Sequence, residues 1–149
     1  MAIFLELKAN GDLIEGDVEE PSNMAGKINV QAMNWMYSRP ASHGVISGKS
    51  QASGVDVTTN MGPHAVLIWK ALTDGQEIDA TFTFDASDDA DKPELEVVLT
   101  KGRISTANFG ISGHGPLPDS MFNFGISFPT ITVTHSDTGM AHEDALHTR

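Results

Sequence analysis

Three stretches of this chain carry residue types and spacings that resemble ligand-binding motifs. The first, GVISGKS at residues 44–50, resembles a phosphate-binding loop, but three residues separate Gly44 from Gly48 where that motif needs four. The sequence also predicts no buried parallel strand ahead of it. We therefore interpret the stretch as a plain Gly/Ser loop and predict no nucleotide binding.

Two histidines near the C-terminus imitate the helix of a zinc protease. His142 and His147 are five residues apart in HEDALH. On a helix, five residues correspond to about 140° of rotation, so the two imidazoles would not share a face as a zinc pair must. We predict no zinc site here.

The acidic stretch DASDDADKPELE resembles a calcium-binding loop. It offers oxygen-bearing side chains at loop positions 1, 3, 5, 7 and 12, namely Asp85, Ser87, Asp89, Asp91 and Glu96. However, Ala90 occupies the position where such loops need glycine, and the predicted flanking elements are strands. An acidic hairpin loop is the favoured interpretation.

The remaining histidines and the two tryptophans also suggest no reaction. No serine nucleophile is recognisably paired with the histidines, and we predict that all four are exposed polar residues: His43, His64, His114 and His135. Trp35 and Trp69 each lie on a predicted apolar face, which favours core or subunit contacts over ligand stacking. The sequence thus predicts no catalytic residue, cofactor or metal, and no enzyme.

Composition restricts the partners. Twenty acidic and nine basic residues give a net charge of −11, which argues against binding to a phosphate backbone. The absence of cysteine excludes disulfides and thiolate metal sites. There is no basic, apolar leader at the start and no apolar run of eighteen residues, so neither a cleaved signal peptide nor a membrane insertion is predicted.

A single good helix is predicted between Pro63 and about Asp74. Proline suits a first-turn position, and Gly75 suits the left-handed residue that follows a helix. Within these limits Ala65, Ile68, Trp69 and Leu72 recur at helical spacing and predict a stripe that packs on a sheet.

The rest of the chain alternates as strands do. Residues 3–8, 78–85, 95–99 and 122–128 alternate apolar and polar side chains, Gly102 suggests a bulge, and residues 27–37 are apolar on both faces. Residues 38–54 are Gly/Ser-rich without a period, and residues 137–149 have little to bury, so we predict a flexible loop or arm and a loosely ordered tail. The sequence predicts one mainly β domain over residues 1–149, with a bent strand that suits a barrel.

The order of these features resembles the Hcp (haemolysin-coregulated protein) family, the tube proteins of the bacterial type VI secretion system. The resemblance covers nearly the whole chain. It lies in MAIFLELK, in KINVQAMNW, in HGVISGKSQASG leading to VDVTTNMGPHAVLIWKALTDGQEI, and in VVLTKGRIS followed by ISFPTITVTH.

The resemblance implies a small antiparallel β-barrel with one flanking α-helix, assembled as hexameric rings that stack into a hollow tube. Such a tube is built in the cytoplasm, is propelled by a contractile sheath, meets a spike protein, carries effectors and is itself exported without a cleaved signal peptide. It further implies subunit contacts near Trp35, Tyr37, Val55 and Val57. The implied ring-stacking loop comprises Ser42, His43, Gly44, Val45, Ile46, Ser47, Gly48, Lys49 and Ser50.

Two other functions stay open on the residues alone. One is a monomeric β-barrel that binds a small ligand or carbohydrate, and the other is a metal-dependent hydrolase. A ring would distinguish the tube protein from the first, and loss of activity on chelation would identify the second.

Overall fold

The fold is described from a computed structural model. It describes residues 2–19, 25–39, 41–42, 44–46, 50–85, 94–113, 119–136 and 138–145. Within these ranges the chain forms one helix, α1 Pro63–Asp74, and thirteen strands. The strands are β1 Ala2–Ala9, β2 Asp12–Ile14, β3 Ile28–Asn34, β4 Tyr37–Ser38, β5 Ala41–Ser42, β6 Val45–Ile46, β7 Gln51–Ala52, β8 Val55–Asn60, β9 Ile78–Asp85, β10 Leu95–Ser112, β11 Asp119–Ser127, β12 Thr130–His135 and β13 Met140–Ala145.

Six antiparallel strands close into a barrel. Their order is β11-β8-β3-β1-β9-β10, and the pairing of β10 with β11 completes the circle. Strands β12 and β13 extend the sheet from the first half of β10, and β2 pairs with β1. The predicted mainly β fold, an antiparallel barrel with one helix, is confirmed.

Alternation of side chains builds the core. In the β1–β9 pair, Leu5 lies opposite Phe82 and Leu7 opposite Ala80, and all four side chains are buried. The intervening Glu6 points outward, where its carboxylate lies 3.6 Å from the ammonium of Lys8. The inward face of β9 therefore packs as its sequence predicts, because alternate residues of a strand point to opposite faces of the sheet.

The 18-residue strand β10 serves two parts of the sheet. Its first half pairs with β9 and β12, and its second half pairs with β11. The register shifts between Leu99 and Gly102, which agrees with the predicted bulge, and again between Ile104 and Thr106. A Cβ on Gly102 would lie 2.7 Å from the carbonyl oxygen of Ser127, so the bend needs glycine there.

Helix α1 has the limits that the sequence predicts, and Gly75 follows it with φ 64° in the left-handed region. The backbone N–H of Gly75 donates to the carbonyl oxygen of Leu72, and the N–H of Gln76 donates to that of Ala71. These two bonds satisfy carbonyl groups that a helix end leaves free.

The predicted buried stripe of α1 is wrong at Trp69, whose side chain is 52% exposed. The buried residues are instead His64, Ala65, Ile68 and Ala71. This stripe is rotated away from Trp69, because residues 64, 68 and 71 also recur at helical spacing and the barrel contacts their side of the helix.

The predicted loosely ordered tail is corrected over residues 140–145. They form β13, which pairs in register with β12 from Thr130–Ala145 to His135–Met140. Most side chains of β13 are exposed. This strand is therefore held by backbone hydrogen bonds to β12, which leave no pattern of buried side chains in the sequence.

Candidate assembly surfaces

A cleft of about 390 Å³ opens beside Trp35, where the chain leaves β3. We call it the Trp35 cleft, and its lining residues are Trp35, Tyr37, Ser50, Ile131, Val133, His142 and Asp144. Its volume lies at the lower end of the roughly 300–1,000 Å³ that is typical of binding pockets. Aliphatic and aromatic side chains form most of the wall, so the cleft suits an apolar guest with a polar or charged tip.

A hydrogen bond connects two polar groups of the Trp35 cleft. The Tyr37 hydroxyl donates to Oδ2 of Asp144 over 2.7 Å. This bond joins the short strand β4 to β13, which are 107 residues apart in the chain. It therefore holds a carboxylate beside the apolar side chains that line most of the cleft.

The described residues from β4 to β7 form two short ladders, and we call this segment the arm. Tyr37 and Ser38 pair with Ala52 and Gln51, and Ala41 and Ser42 pair with Ile46 and Val45. At its base the Met36 N–H donates to the Ser53 hydroxyl over 2.9 Å. The described residues of the predicted flexible loop or arm therefore pair in two short ladders.

Only part of the predicted ring-stacking loop lies in the described residues. Ser42, Val45 and Ile46 belong to the outer ladder, Gly44 turns between them with φ 79°, and Ser50 lines the Trp35 cleft. His43, Ser47, Gly48 and Lys49 lie outside the described residues. A role in stacking stays a prediction for this set.

The four predicted subunit contacts have two different environments. Trp35 packs partly against the core and Tyr37 is 36% exposed, so both present surface in the cleft. Val55 and Val57 are each only 1% exposed and lie inside the barrel. Their side chains occupy the inward positions of β8 and pack in the core of their own subunit. The side chain of Asp56, which lies between them in the strand, points outward.

A row of aromatic rings runs from the core to the surface beside α1. Phe124 stacks on Phe122 at 5.5 Å, Phe122 contacts Phe109 at 4.9 Å, and Phe109 meets Trp69 edge-on at 6.0 Å between ring centroids. The first two side chains are buried, whereas Phe109 is 40% exposed. The core therefore continues to the surface at this point.

The outer end of this row is a continuous apolar surface, which we call the Trp69 patch. Val66 and Trp69 are neighbours on α1, Phe109 and Ile111 lie on the same side of β10, and the Trp69–Phe109 contact joins the two elements. Val66 is 59% and Ile111 72% exposed. Phe109 and Ile111 were not predicted as surface contacts, although their alternation in β10 is a signal that the sequence contains.

The prediction that His64 is exposed is wrong, because its side chain is only 1% exposed. Its Nε2 lies 3.0 Å from the Thr59 hydroxyl, its ring contacts Phe122 edge-on at 6.3 Å, and its Nδ1 has no hydrogen-bond partner in the described part of the chain. Burial lowers the pKa of His64 below 6.5, and the nearby Asp17 carboxylate and the Asn60 backbone oppose this shift. The helical spacing to Ile68 and Ala71 was the signal for burial.

The calcium-like and zinc-like motifs lie only partly in the described residues. Residues 86–93 of the calcium-like stretch and His147 lie outside the described residues, and His142 lies on β13, not on a helix. Among the residues described, no three His, Asp or Glu side chains are grouped to hold a metal ion. Over the same residues, α1 is too short for a membrane span and no other helix is present.

Structural comparison finds several similar folds. A mutant of Hcp1 from E. coli EAEC 042 superposes with a TM-score of 0.85 at 21% identity, covering 98% of this chain and 99% of that one. Hcp1 from Salmonella typhimurium gives a TM-score of 0.75 at 18% identity over 100% and 98%. A type VI secretion system effector from Yersinia pestis gives 0.74 at 17% identity over 96% and 98%. At these identities the likeness shows the fold alone.

Sequence comparison identifies the family. No curated protein sequence matches the chain. The profile of the family described as "Type VI secretion system effector, Hcp" matches residues 4–135, which include the barrel, the arm and α1. The chain therefore belongs to the Hcp family of type VI secretion proteins, which are structural tube and effector proteins and not enzymes.

Proposed function

We propose that this protein is the tube subunit of a bacterial type VI secretion system, and that six copies form a ring whose stacking builds a hollow exported tube. The observation that carries this proposal is the pair of apolar surfaces left open on one subunit, the Trp35 cleft and the Trp69 patch. A strongly acidic chain that exposes such surfaces needs a partner to cover them. Membership of the family makes further copies of the chain the natural partner.

Stacking of rings is assigned to the arm. Its outer ladder, Ala41–Ser42 with Val45–Ile46, is separate from the barrel sheet in the described residues. A short ladder of this kind has backbone groups free to meet a neighbour. The loop of residues 42–50 would thus contact the next ring, while the barrel closes the ring itself.

The proposed route follows from the family. The tube assembles in the cytoplasm with a sheath and a spike, and leaves the cell through the secretion system without a cleaved signal peptide. Effectors travel in its lumen. These partners would be tested by co-purification of tubes with sheath and spike proteins from a secreting cell.

The ring is tested directly by size-exclusion chromatography with light scattering and by negative-stain electron microscopy of the pure protein. The proposal expects particles six times the 15.9 kDa subunit mass, with a central hole. A protein that stays monomeric at millimolar concentration would contradict it. That outcome would instead favour a monomeric binding barrel, for which the Trp35 cleft is the candidate site.

A further inference from the structure

A closed ring of identical subunits needs two different surfaces on each copy. In a heterologous contact, one surface of a subunit meets a second surface of its neighbour, and the same contact repeats until the ring closes. The described part of this subunit offers two apolar surfaces built from separate elements, the Trp35 cleft from β4, β12 and β13 and the Trp69 patch from α1 and β10. We infer that the Trp69 patch of one subunit docks in the Trp35 cleft of the next.

Shape favours this pairing. The patch projects large side chains, since Trp69, Val66 and Ile111 are all more than half exposed. The cleft is concave, with Ile131 and Val133 on its wall and Trp35 beside them. An exposed indole entering a cleft with an aromatic wall is the arrangement in which large aromatic side chains contribute most to an interface.

Charge favours it as well. Lys70 is four residues from Val66 on α1, so a cation borders the patch. The cleft carries the Asp144 carboxylate. Two copies of a chain with net charge −11 repel each other, and this pairing brings one of its nine basic residues toward the acidic side chain of the cleft.

The half of β10 that contributes to the patch also has an unpaired backbone edge in the described part of the chain. Beyond Gly102 the strand pairs with β11 along one edge, and no strand among those described pairs with its other edge. Phe109 and Ile111 belong to this half of the strand. A neighbour covering the patch would also shield these backbone groups from water.

The inference rests on the proposed ring, and cross-linking tests the two separately. The chain has no cysteine, so engineered thiols report without background. One preparation carries Thr73→Cys at an exposed position of α1, and the other carries His142→Cys at the cleft. After the two are mixed and assembled, a short bismaleimide should link a Thr73→Cys subunit to a His142→Cys subunit, whereas the pairing of Lys8→Cys on β1 with His142→Cys should give no product.

The outcomes distinguish failure of the docking from failure of the ring. Rings that form without the Thr73–His142 link would overturn the docking and leave the ring intact. Linked dimers without rings would support the docking and contradict the ring, and the absence of both products would contradict both. Links between two Thr73→Cys subunits would mean that the patch meets a second patch, which also overturns the inference.

Truncation of the anchor provides a second test. Trp69→Ala should raise the protein concentration at which half of the rings dissociate by roughly 30-fold or more, as expected for an aromatic residue at the centre of an interface. Leu67→Ala is the matched control, because Leu67 is 43% exposed on the other flank of the same helix and should change that concentration less than threefold. Equal effects of the two variants, or no effect of Trp69→Ala, would assign the patch to another partner and overturn the inference.

Discussion

The two ends of one aromatic row have different environments. Phe122 is fully buried between Phe124, His64 and Phe109, whereas Phe109, its direct neighbour across β10 and β11, is 40% exposed and leads to Trp69. The inner end stabilises the subunit. The outer end leaves apolar area in contact with water, which a folded monomer does not need. Buried residues of the row thus stabilise the barrel, whereas exposed residues of the row are available for contacts with another molecule.

The largest expected effect is at the inner end. Phe122→Ala should lower the free energy of unfolding by about 3–5 kcal/mol, because it removes a buried ring and leaves a cavity. Phe109→Ala should cost only about 1–2 kcal/mol, since part of its ring is already exposed. Urea denaturation at two protein concentrations measures both, because association adds to apparent stability. Equal losses would abolish the distinction.

The hydrogen bond between Thr59 and His64 tests the interior more finely. Thr59→Val should lower the free energy of unfolding by about 1–3 kcal/mol, because it removes the hydroxyl partner of the buried His64 Nε2. Thr58→Val is the control on the opposite face, where the hydroxyl donates to Oδ1 of Asn123 at an exposed site. Its cost should stay below about 1 kcal/mol, and a larger loss there would contradict the comparison.

Lowering the pH should gradually reduce the free energy of unfolding of the subunit. Because burial lowers the pKa of His64, the unfolded chain takes up a proton before the folded chain does as the pH falls. The stability from neutral His64 is therefore full above about pH 6.5 and is lost as the pH falls toward the folded pKa. Thermal unfolding across this range should show the loss in the native chain and in His135→Gln, but not in His64→Gln. An unchanged slope in His64→Gln would assign the pH dependence elsewhere.

The smallest expected effect concerns charge on the outside. A proposed ring of six would carry a formal charge of −66, which opposes stacking. Raising salt from 0.1 M to 1 M shortens the screening length from about 10 Å to about 3 Å, so tubes should lengthen. Electron microscopy would measure tube length, with an uncharged osmolyte at equal osmolality as the control. Tubes of the same length in both salts would show that apolar contacts alone govern stacking.

Local signals predicted most of the barrel. Pro63 and Gly75 gave both limits of α1, and the alternation of Ile78, Ala80 and Phe82 gave the buried face of β9. These patterns succeed because each is set by short-range backbone geometry and by burial within one element. The family resemblance is confirmed by the profile match.

The errors share a physical cause. Trp69 and His64 were misplaced because the rotation of a helix about its axis depends on the surface it packs against, and α1 has apolar residues on several sides. Strand β13 was missed because its backbone pairing to β12 leaves almost no pattern in its exposed side chains. The cleft joins Tyr37 to Asp144 across more than a hundred residues, a distance that no local pattern spans.

Strand β10 also has a mechanical consequence. Its 18 residues would extend roughly 60 Å if straight, and they run without interruption from the sheet that holds β12 and β13 to the edge that holds Phe109 and Ile111. If neighbours pull on both regions, tension passes along covalent bonds and not across a noncovalent seam inside the subunit. Under a force applied along a tube, the contacts between subunits would then break before the barrel of each subunit deforms.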